Sequence, residues 1–222
     1  MTETDASAER RMPLTRDRVL QAAVDVADRG GIEALSMRRL GQELGVDAMA
    51  IYRHVRNKDD LLDGVVEMIV RSIDEPAPED DWKAALRQRA MAARRVMLRH
   101  PWARRVLEDR GTAGPAILVY VESVLATLRD GGFSVDMAHH ALHALGSRIF
   151  GFTQDLFEEG SEDPSPEAAA ALARALAGYP RIMELATSVR HEGVLGRCDD
   201  DFEFAFGLDL VLDGLERFRA GA

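Results

Sequence analysis

The segment Ser36–Val55 reads SMRRLGQELGVDAMAIYRHV and predicts two short helices separated by a glycine turn. Apolar residues recur along its first half at the spacing of one helix face, at Met37, Leu40 and Leu44. Gly45 follows at once, and glycine readily adopts the left-handed conformation that ends a helix. A helix, a tight turn and a second helix within about 20 residues is the size of a helix-turn-helix motif.

The second predicted helix presents two different faces. At about 100° per residue, Ile51 and Val55 point to one side, while Met49 and Arg53 point to the opposite side. Methyl groups can contact thymine, and an arginine can bind guanine O6 and N7 through two hydrogen bonds. The residues better placed to contact backbone phosphate are Tyr52, His54 and Lys58. These residue types suit base reading in a DNA major groove, although a solvated basic face on an ordinary helical hairpin would have the same composition.

Helix-start and helix-stop signals flank this unit on both sides. The side chains predicted to cap four successive helices are Thr15, Ser36, Asp47 and Asn57. The Gly30–Gly31 pair ends the first helix, and Asp59 and Asp60 complement the dipole at the start of the fourth. Residues 1–14 precede the first cap, and we expect them to form a flexible arm.

The charge of the chain is unevenly distributed. Its 222 residues carry a formal net charge of -10, which excludes a generic nucleic-acid binder. Residues 34–58 nevertheless carry a net charge of +3, whereas the chain from residue 61 onward carries -9. A small basic window on an acidic body indicates a local attraction to a polyanion.

The sequence also predicts where the protein works. The first residues are polar and charged, which is not typical of a signal peptide. The most apolar run, residues 116–126, contains Glu122 and is too short to cross a bilayer. The single cysteine, Cys198, excludes an intrachain disulfide and suits a reducing compartment. We therefore expect a cytoplasmic protein with no membrane partner.

The remainder of the chain is predicted to be helical. The acidic, proline-containing stretch DEPAPEDD at residues 74–81 interrupts the helical pattern. Later glycine and proline clusters separate long segments that keep helical spacing, and no alternating strand pattern of useful length occurs. The sequence predicts an all-α fold.

Residues 15–62 resemble the DNA-binding domain of the tetracycline-repressor (TetR) family of bacterial transcription regulators. The resemblance includes the Leu-Gly-Val turn, the Tyr-x-His of the second motif helix and the Asn-Lys pair before the fourth helix. It implies that ten residues contact DNA: Ser36, Met37, Arg38, Ala48, Met49, Ala50, Tyr52, Arg53, His54 and Lys58. Residues 48–50 depart from founding members, which have polar or imino residues there, so we expect Arg38 and Arg53 to contribute most.

The same resemblance, looser beyond residue 80, implies a larger helical domain that binds a small molecule and forms a homodimer. It divides the chain into an arm at 1–14, a three-helix helix-turn-helix domain at 15–60 and an effector-binding and dimerisation domain at 61–222. Residues 134–160 and the last helix, about 201–220, are implied to form the dimer interface. The apolar residues of that last helix are Phe202, Phe206, Leu208, Leu212 and Leu215, which packing within the chain would also explain.

The resemblance implies a transcriptional regulator that leaves a palindromic operator when its effector binds, and repression is expected over activation. The residues expected to line the effector site are Arg89, Trp102, Leu107, Tyr120, Val124, His139, Leu142 and Phe150. The family's drug-chelating histidine falls on Leu107, and two polar drug contacts fall on Asp74 and Arg89. Because the metal ligand is lost, tetracycline itself is not the expected effector, although Asp155 falls where a carboxylate orients the metal's water.

A rival hypothesis is a helical metalloprotein or enzyme. His139 and His143 are four residues apart on one predicted helix face and could share a transition metal. No third ligand is visible beside them, and the sequence has no glycine-rich phosphate loop and no paired-carboxylate constellation. We therefore expect no enzyme activity, no cofactor and no metal.

Overall fold

A computed structural model describes residues 13–75, 81–110, 114–151, 166–188 and 200–219. Several predictions made above fall outside these ranges. They concern residues 1–12 of the flexible arm, residues 152–160 of the dimer interface, Asp155 and Cys198.

Eleven α-helices and one short 3-10 turn, Ile32–Ala34, account for the regular structure of the described residues. The helices are α1 (Arg16–Gly30), α2 (Met37–Leu44), α3 (Ala48–Ile51), α4 (Lys58–Arg71), α5 (Trp82–Arg99), α6 (Ala103–Asp109), α7 (Pro115–Asp130), α8 (Val135–Phe150), α9 (Pro166–Leu176), α10 (Pro180–Ser188) and α11 (Asp200–Arg219). The predicted all-α fold is confirmed. None of the described helices is long and apolar enough to span a membrane.

The predicted N-caps of the first four helices are all present. The side-chain oxygens of Thr15, Ser36, Asp47 and Asn57 accept hydrogen bonds from backbone N–H groups at 3.2, 3.2, 2.7 and 2.8 Å, respectively. Gly45 ends α2 at φ 64°, in the left-handed region that favours glycine. Local sequence signals therefore determine where these helices begin and where α2 ends.

The second helix of the motif is shorter than its helical spacing indicates. Helix α3 ends at Ile51, and Tyr52–His54 form a turn. The backbone N–H groups of Arg53 and His54 bond to carbonyls three residues earlier, at 3.3 and 2.8 Å. This tighter winding continues the direction of the helix, and both Ile51 and Val55 remain buried as predicted.

The chain forms two compact units, residues 1–138 and 139–222. In the first unit, one core joins the helix-turn-helix to α4, α6 and the start of α7. Its fully buried members include Val19, Leu35, Leu40, Ile51, Val55, Leu61 and Val65. In the second unit, the described buried residues are on α8 and α11, namely Ala141, Leu145, Phe204, Leu208, Leu212 and Leu215. These units follow packing, so the functional division at residue 60 stays a prediction.

Candidate DNA-binding surface and effector site

The residues predicted to contact DNA lie on α2, on α3 with its following turn, and at the start of α4. Met49 is 70% exposed and Tyr52 is 46% exposed, whereas Ile51 between them is completely buried. Also exposed are Ser36, Arg38, Arg53 and Lys58, while Met37, Ala48, Ala50 and His54 are half-buried. The chain thus presents one outward side formed by consecutive elements of the motif.

Three cations on this surface have no acidic partner among the described residues. Arg38, Arg53 and Lys58 form no ion pair with any residue that the structure describes. Elsewhere in the motif, Arg29 pairs with Glu43 at 2.8 Å between α1 and α2. Cations that no carboxylate neutralises are available to phosphate and to guanine.

A polar brace between α1 and α4 fixes the position of α3. The guanidinium of Arg16, at the start of α1, donates to the backbone carbonyl of His54 at 2.7 Å and to Oδ1 of Asp60 at 2.8 Å. The other carboxylate oxygen of Asp60 accepts from the backbone N–H of Arg56, also at 2.8 Å. Because Arg16 contacts both the turn after α3 and the first turn of α4, it holds three helices in one register. The contacts of Arg16 were not predicted from the sequence. Asp60 was predicted only to complement the dipole at the start of α4.

Replacing Asp60 with asparagine is expected to lower the free energy of unfolding by on the order of 1–2 kcal/mol at neutral pH, with allowance for the exposure of Arg16. The hydrogen bond from Arg16 and then the backbone hydrogen bond from Arg56 lower the pKa of the Asp60 carboxyl from 3.8 to about 2. The folded-state pKa is below the unfolded one, so this stabilisation is present above about pH 4 and disappears as the pH falls towards 2. Urea unfolding between pH 7 and pH 3 measures it.

The matched control is Glu122→Gln, which removes an exposed carboxylate on α7. Its unfolding free energy should follow that of the unmodified chain at every pH. If the difference between Asp60→Asn and the unmodified chain does not shrink as the solution becomes acidic, the brace does not act through the ionised carboxylate.

Helix α2 approaches the segment before α3 too closely for a side chain at Gly41. A Cβ atom there would lie 2.8 Å from the backbone carbonyl oxygen of Val46 and 3.3 Å from the backbone nitrogen of Ala48. The Val46 N–H also bonds to the Gly41 carbonyl at 2.9 Å. Glycine at this position therefore sets the crossing of the two motif helices.

Helix α6 and the residues just before it are attached to the motif by polar contacts. The Trp102 indole N–H donates to Asp28 on α1 at 2.7 Å, and His100 Nδ1 lies 2.8 Å from the same carboxylate oxygen. Arg105 pairs with Glu33 at 2.7 Å. Beyond the end of α6, Arg110 pairs with Asp63 and, at 3.5 Å, with Asp59, both of which are on α4.

Helix α4 is also joined to α7. The carboxylate of Glu67 accepts the backbone N–H of Ala116 with its two oxygens at 3.0 and 2.9 Å, and so caps the N-terminus of α7. Glycine at position 114 leaves room for this carboxylate, because a Cβ atom there would collide with Glu67 Oε1. These contacts join α6 and α7 to α4, the helix that follows the DNA-binding motif.

The structure brings two of the predicted effector residues together. Arg89 on α5 is buried, and its Cζ atom lies 5.4 Å from the centre of the Tyr120 ring on α7. Val124 is buried one turn further along α7, and the Trp102 side chain is occupied by its bond to Asp28.

Leu107 lies on a cavity of about 240 Å³ between α4, α6 and α7. The cavity is lined by Asp63, Val66, Glu67, Leu107, Arg110, Gly114, Pro115 and Ile117. Ligand pockets for drug-sized molecules usually measure about 300–1,000 Å³, so this cavity alone is too small for one.

The remaining predicted effector residues belong to the second unit. His139 and Phe150 are exposed, and Leu142 is half-buried. The His139 and His143 rings lie 4.6 Å apart, as their spacing on one helix predicts. No group of three metal-ligating side chains occurs in the described parts of the chain.

Comparisons with known proteins agree with this geometry. The family model for bacterial regulatory proteins of the tetR family matches residues 19–65, and the model for the tetracyclin repressor-like C-terminal domain matches residues 75–219. The HTH-type transcriptional repressor DrrR1 of Streptomyces coeruleorubidus is 34% identical over 211 residues, which cover 91% of this chain and 77% of that protein. The class C tetracycline repressor protein of Escherichia coli is 30% identical over 210 residues, 93% of this chain and 92% of that protein.

A solved structure is similar over nearly the whole chain. The TetR family protein ActR of Streptomyces coelicolor, in complex with actinorhodin, matches with a TM-score of 0.68 and 30% identity, covering 92% of this chain and 98% of ActR. The chain therefore belongs to the tetR family of bacterial regulatory proteins and is a helix-turn-helix, ligand-responsive transcriptional repressor.

Proposed function

We propose that two copies of this chain bind a palindromic operator and leave it when a small organic molecule binds to the larger helical domain. In this proposal residues 15–60 bind DNA, and residues 61–222 bind the effector and form the dimer. The protein works in the cytoplasm, where bacterial DNA lies, and it acts by binding without catalysing a reaction.

The observation that carries the proposal is the composition of the outward side of the motif. Arg38, Arg53 and Lys58 are exposed and have no acidic partner in the described parts of the chain, and the exposed Met49 lies between Arg38 and Arg53 in sequence. An arginine reads guanine, a methyl group meets thymine, and a lysine holds phosphate. The acidic remainder of the chain is unsuited to contact DNA, so the attraction is confined to this side.

Replacing Arg38 with alanine is expected to weaken binding to the operator by about 1–3 kcal/mol and to leave binding to random duplex nearly unchanged. The reason is that a base contact discriminates between sequences, whereas a phosphate contact does not. Fluorescence anisotropy at fixed ionic strength measures both affinities.

The contrasting variant is Lys58→Ala. It should weaken binding to the operator and to random duplex by a similar factor, and it should reduce the dependence of affinity on salt concentration. If Arg38→Ala weakened binding to the operator and to random DNA equally, Arg38 would not be a base-reading residue.

Dimerisation is proposed to use the exposed apolar side of α11. Three exposed residues recur one turn apart on this helix, with exposed fractions of 62% for Phe202, 55% for Phe206 and 58% for Leu210. The other apolar side is already occupied, since Leu208 and Leu212 are buried within the unit. A contiguous exposed apolar stripe on a folded helix is typical of a protein interface.

Helix α8 supports this surface from within the unit. The Arg148 guanidinium donates to the carbonyl of Glu203 at 2.6 Å and lies 4.8 Å from the centre of the Phe204 ring. It also fills the space beside Gly207, where a Cβ atom would lie 2.8 Å from Arg148 Cζ. These contacts fix the rotation of α11 about its axis and so decide which of its residues face outward. Two helices per subunit would form a four-helix interface in the dimer.

The effector is proposed to act through α4. The contacts of Arg110 with Asp59 and Asp63, and of Glu67 with Ala116, connect α4 to α6 and α7. A ligand that favours a different position of α6 or α7 would move α4 and so change the spacing of the two motifs in the dimer. Operator affinity would then fall by the ratio of the ligand's affinities for the displaced state and the operator-binding state. ActR was solved with actinorhodin, which supports an organic molecule as the effector here. Leucine at position 107 argues against a magnesium-bound tetracycline, because its side chain cannot ligate a metal.

A further inference from the structure

Arg89 is the one charged side chain that is buried among the described residues, with 8% of its surface exposed. Its Nε atom reaches neither solvent nor a hydrogen-bond partner. No ion pair joins the guanidinium to a carboxylate in the parts of the chain that the structure describes. Burial of a charge is strongly unfavourable unless a partner or a ligand neutralises it.

The polar side chain that the structure places against Arg89 is Tyr120. On α5, the buried neighbours one turn before and after it are apolar, Leu86 and Ala93. On α7, the Tyr120 ring lies under the guanidinium at 5.4 Å, which compensates part of the buried charge. The Tyr120 hydroxyl forms no hydrogen bond to a described residue.

Tyr120 remains a neutral donor at physiological pH. Burial raises the pKa of its hydroxyl above the usual value, and the positive charge of Arg89 opposes this rise without reversing it. The pair therefore offers one positive charge and one neutral O–H group among apolar side chains. A few polar groups on apolar walls are the usual composition of a small-molecule site.

We propose that Arg89 and Tyr120 form the anion-binding end of the effector site, so that the effector is an organic acid with one ionised carboxylate on an apolar frame. The proposal deepens the effector response proposed above and depends on it. A single guanidinium with one hydroxyl matches a monoanion, because the fork of N–H groups meets two oxygens at once. A neutral ligand would leave the charge uncompensated, and a phosphate would require further cations.

Two fluorescent dyes that differ by one anionic group test the proposal on the full-length protein. The anionic probe is 8-anilinonaphthalene-1-sulfonate, and the neutral probe is N-phenyl-1-naphthylamine, which has the same rings without the sulfonate. Arg89→Met removes the charge and keeps the apolar volume, and Arg89→Lys keeps the charge but loses the planar fork. The matched control is Arg95→Met, which removes an exposed arginine from the same helix.

We expect Arg89→Met to bind the anionic dye at least tenfold more weakly and the neutral dye within twofold of the unmodified chain, with Arg89→Lys intermediate and Arg95→Met unchanged. Equal weakening of both dyes by Arg89→Met, or no weakening of the anionic dye, overturns the proposal. Circular dichroism melting of each variant identifies any that fails to fold. If Arg89→Met fails to fold, the test uses the unmodified chain and two competitors that differ only in charge, the carboxylate 2-naphthoate and its neutral amide 2-naphthamide. 2-Naphthoate should displace the anionic dye at concentrations where 2-naphthamide does not. Equal displacement by the two compounds overturns the proposal.

The same preparations are assayed for operator binding by anisotropy. If Arg89→Met still binds its operator and also binds the anionic dye as tightly as the unmodified chain does, the organic-acid effector alone is rejected. A chain that binds no operator would reject the proposed function instead.

Discussion

Replacing Phe206 with glutamate is expected to separate the dimer and to reduce operator affinity by on the order of 10²–10⁴-fold. Phe206 lies in the middle of the exposed apolar side of α11 and is 55% exposed, so the substitution disturbs little of the packing against the buried residues of its unit. Its ring stacks on that of Phe202, with centroids 6.3 Å apart, and a charge there would place a carboxylate in the interface of each copy. The loss is large because two motifs bound to one duplex act as one multivalent ligand.

Sedimentation velocity gives the oligomeric state, and anisotropy gives the affinity. The matched control is Leu98→Glu, which places the same charge at a 56% exposed leucine on α5 and should leave both readouts unchanged. A Phe206→Glu protein that stays dimeric would show that this side of α11 is not the interface.

Replacing Ile51 with alanine is expected to lower the free energy of unfolding by about 2–5 kcal/mol, the usual cost of removing a large apolar side chain from a packed core. Ile51 is completely buried and closes a helix of only four residues. So short a helix has almost no stability of its own, so its position depends on this side chain and on Val55. Operator affinity should fall with stability, and thermal or urea unfolding measures the change.

Met49→Ala is the counterpart on the opposite side of the same helix. Met49 is 70% exposed, so its removal should change the unfolding free energy by less than about 0.5 kcal/mol while it weakens operator binding. If Met49→Ala destabilised the fold as much as Ile51→Ala, or if it left operator affinity unchanged, the assignment of an anchoring side and a reading side to α3 would be wrong.

Local signals in the sequence were sufficient for the helix-turn-helix. The caps at Ser36, Asp47 and Asn57, the left-handed Gly45 and the apolar spacing that turns Ile51 inward each depend on residues within one or two turns of the chain. The early end of α3 was missed because a 3-10 turn continues the same apolar spacing for three residues.

Contacts between distant residues could not be predicted from spacing. Arg16 and Asp60 are 44 positions apart, and Glu67 and Ala116 are 49 positions apart. Nothing in either local pattern distinguishes these side chains from other exposed charges on an amphipathic helix. The last helix illustrates the same limit, because its sequence shows apolar residues all round, whereas only the fold separates the buried Leu208 and Leu212 from the exposed Phe206.

The proposed effector residues differ in how far the sequence could identify them. Arg89 and Tyr120 were predicted through the family resemblance, and the fold brings them together. Only the packed structure shows that Arg89 has no acidic partner among the described residues, because the sequence around it is rich in charge. The placement of Leu107 on a small cavity between α4, α6 and α7 could likewise not be predicted from the sequence.

The most direct test of the account is selection of bound sequences from random duplexes by the full-length protein at physiological ionic strength, with its oligomeric state determined in the same buffer. Two identical reading surfaces related by a two-fold axis should select an inverted repeat, with half-sites whose centres lie one helical turn, about 34 Å, or a multiple of it apart. We expect such a repeat and a dimer. A monomer that enriches no sequence over the starting pool would contradict the claim that α3 reads bases in paired major grooves.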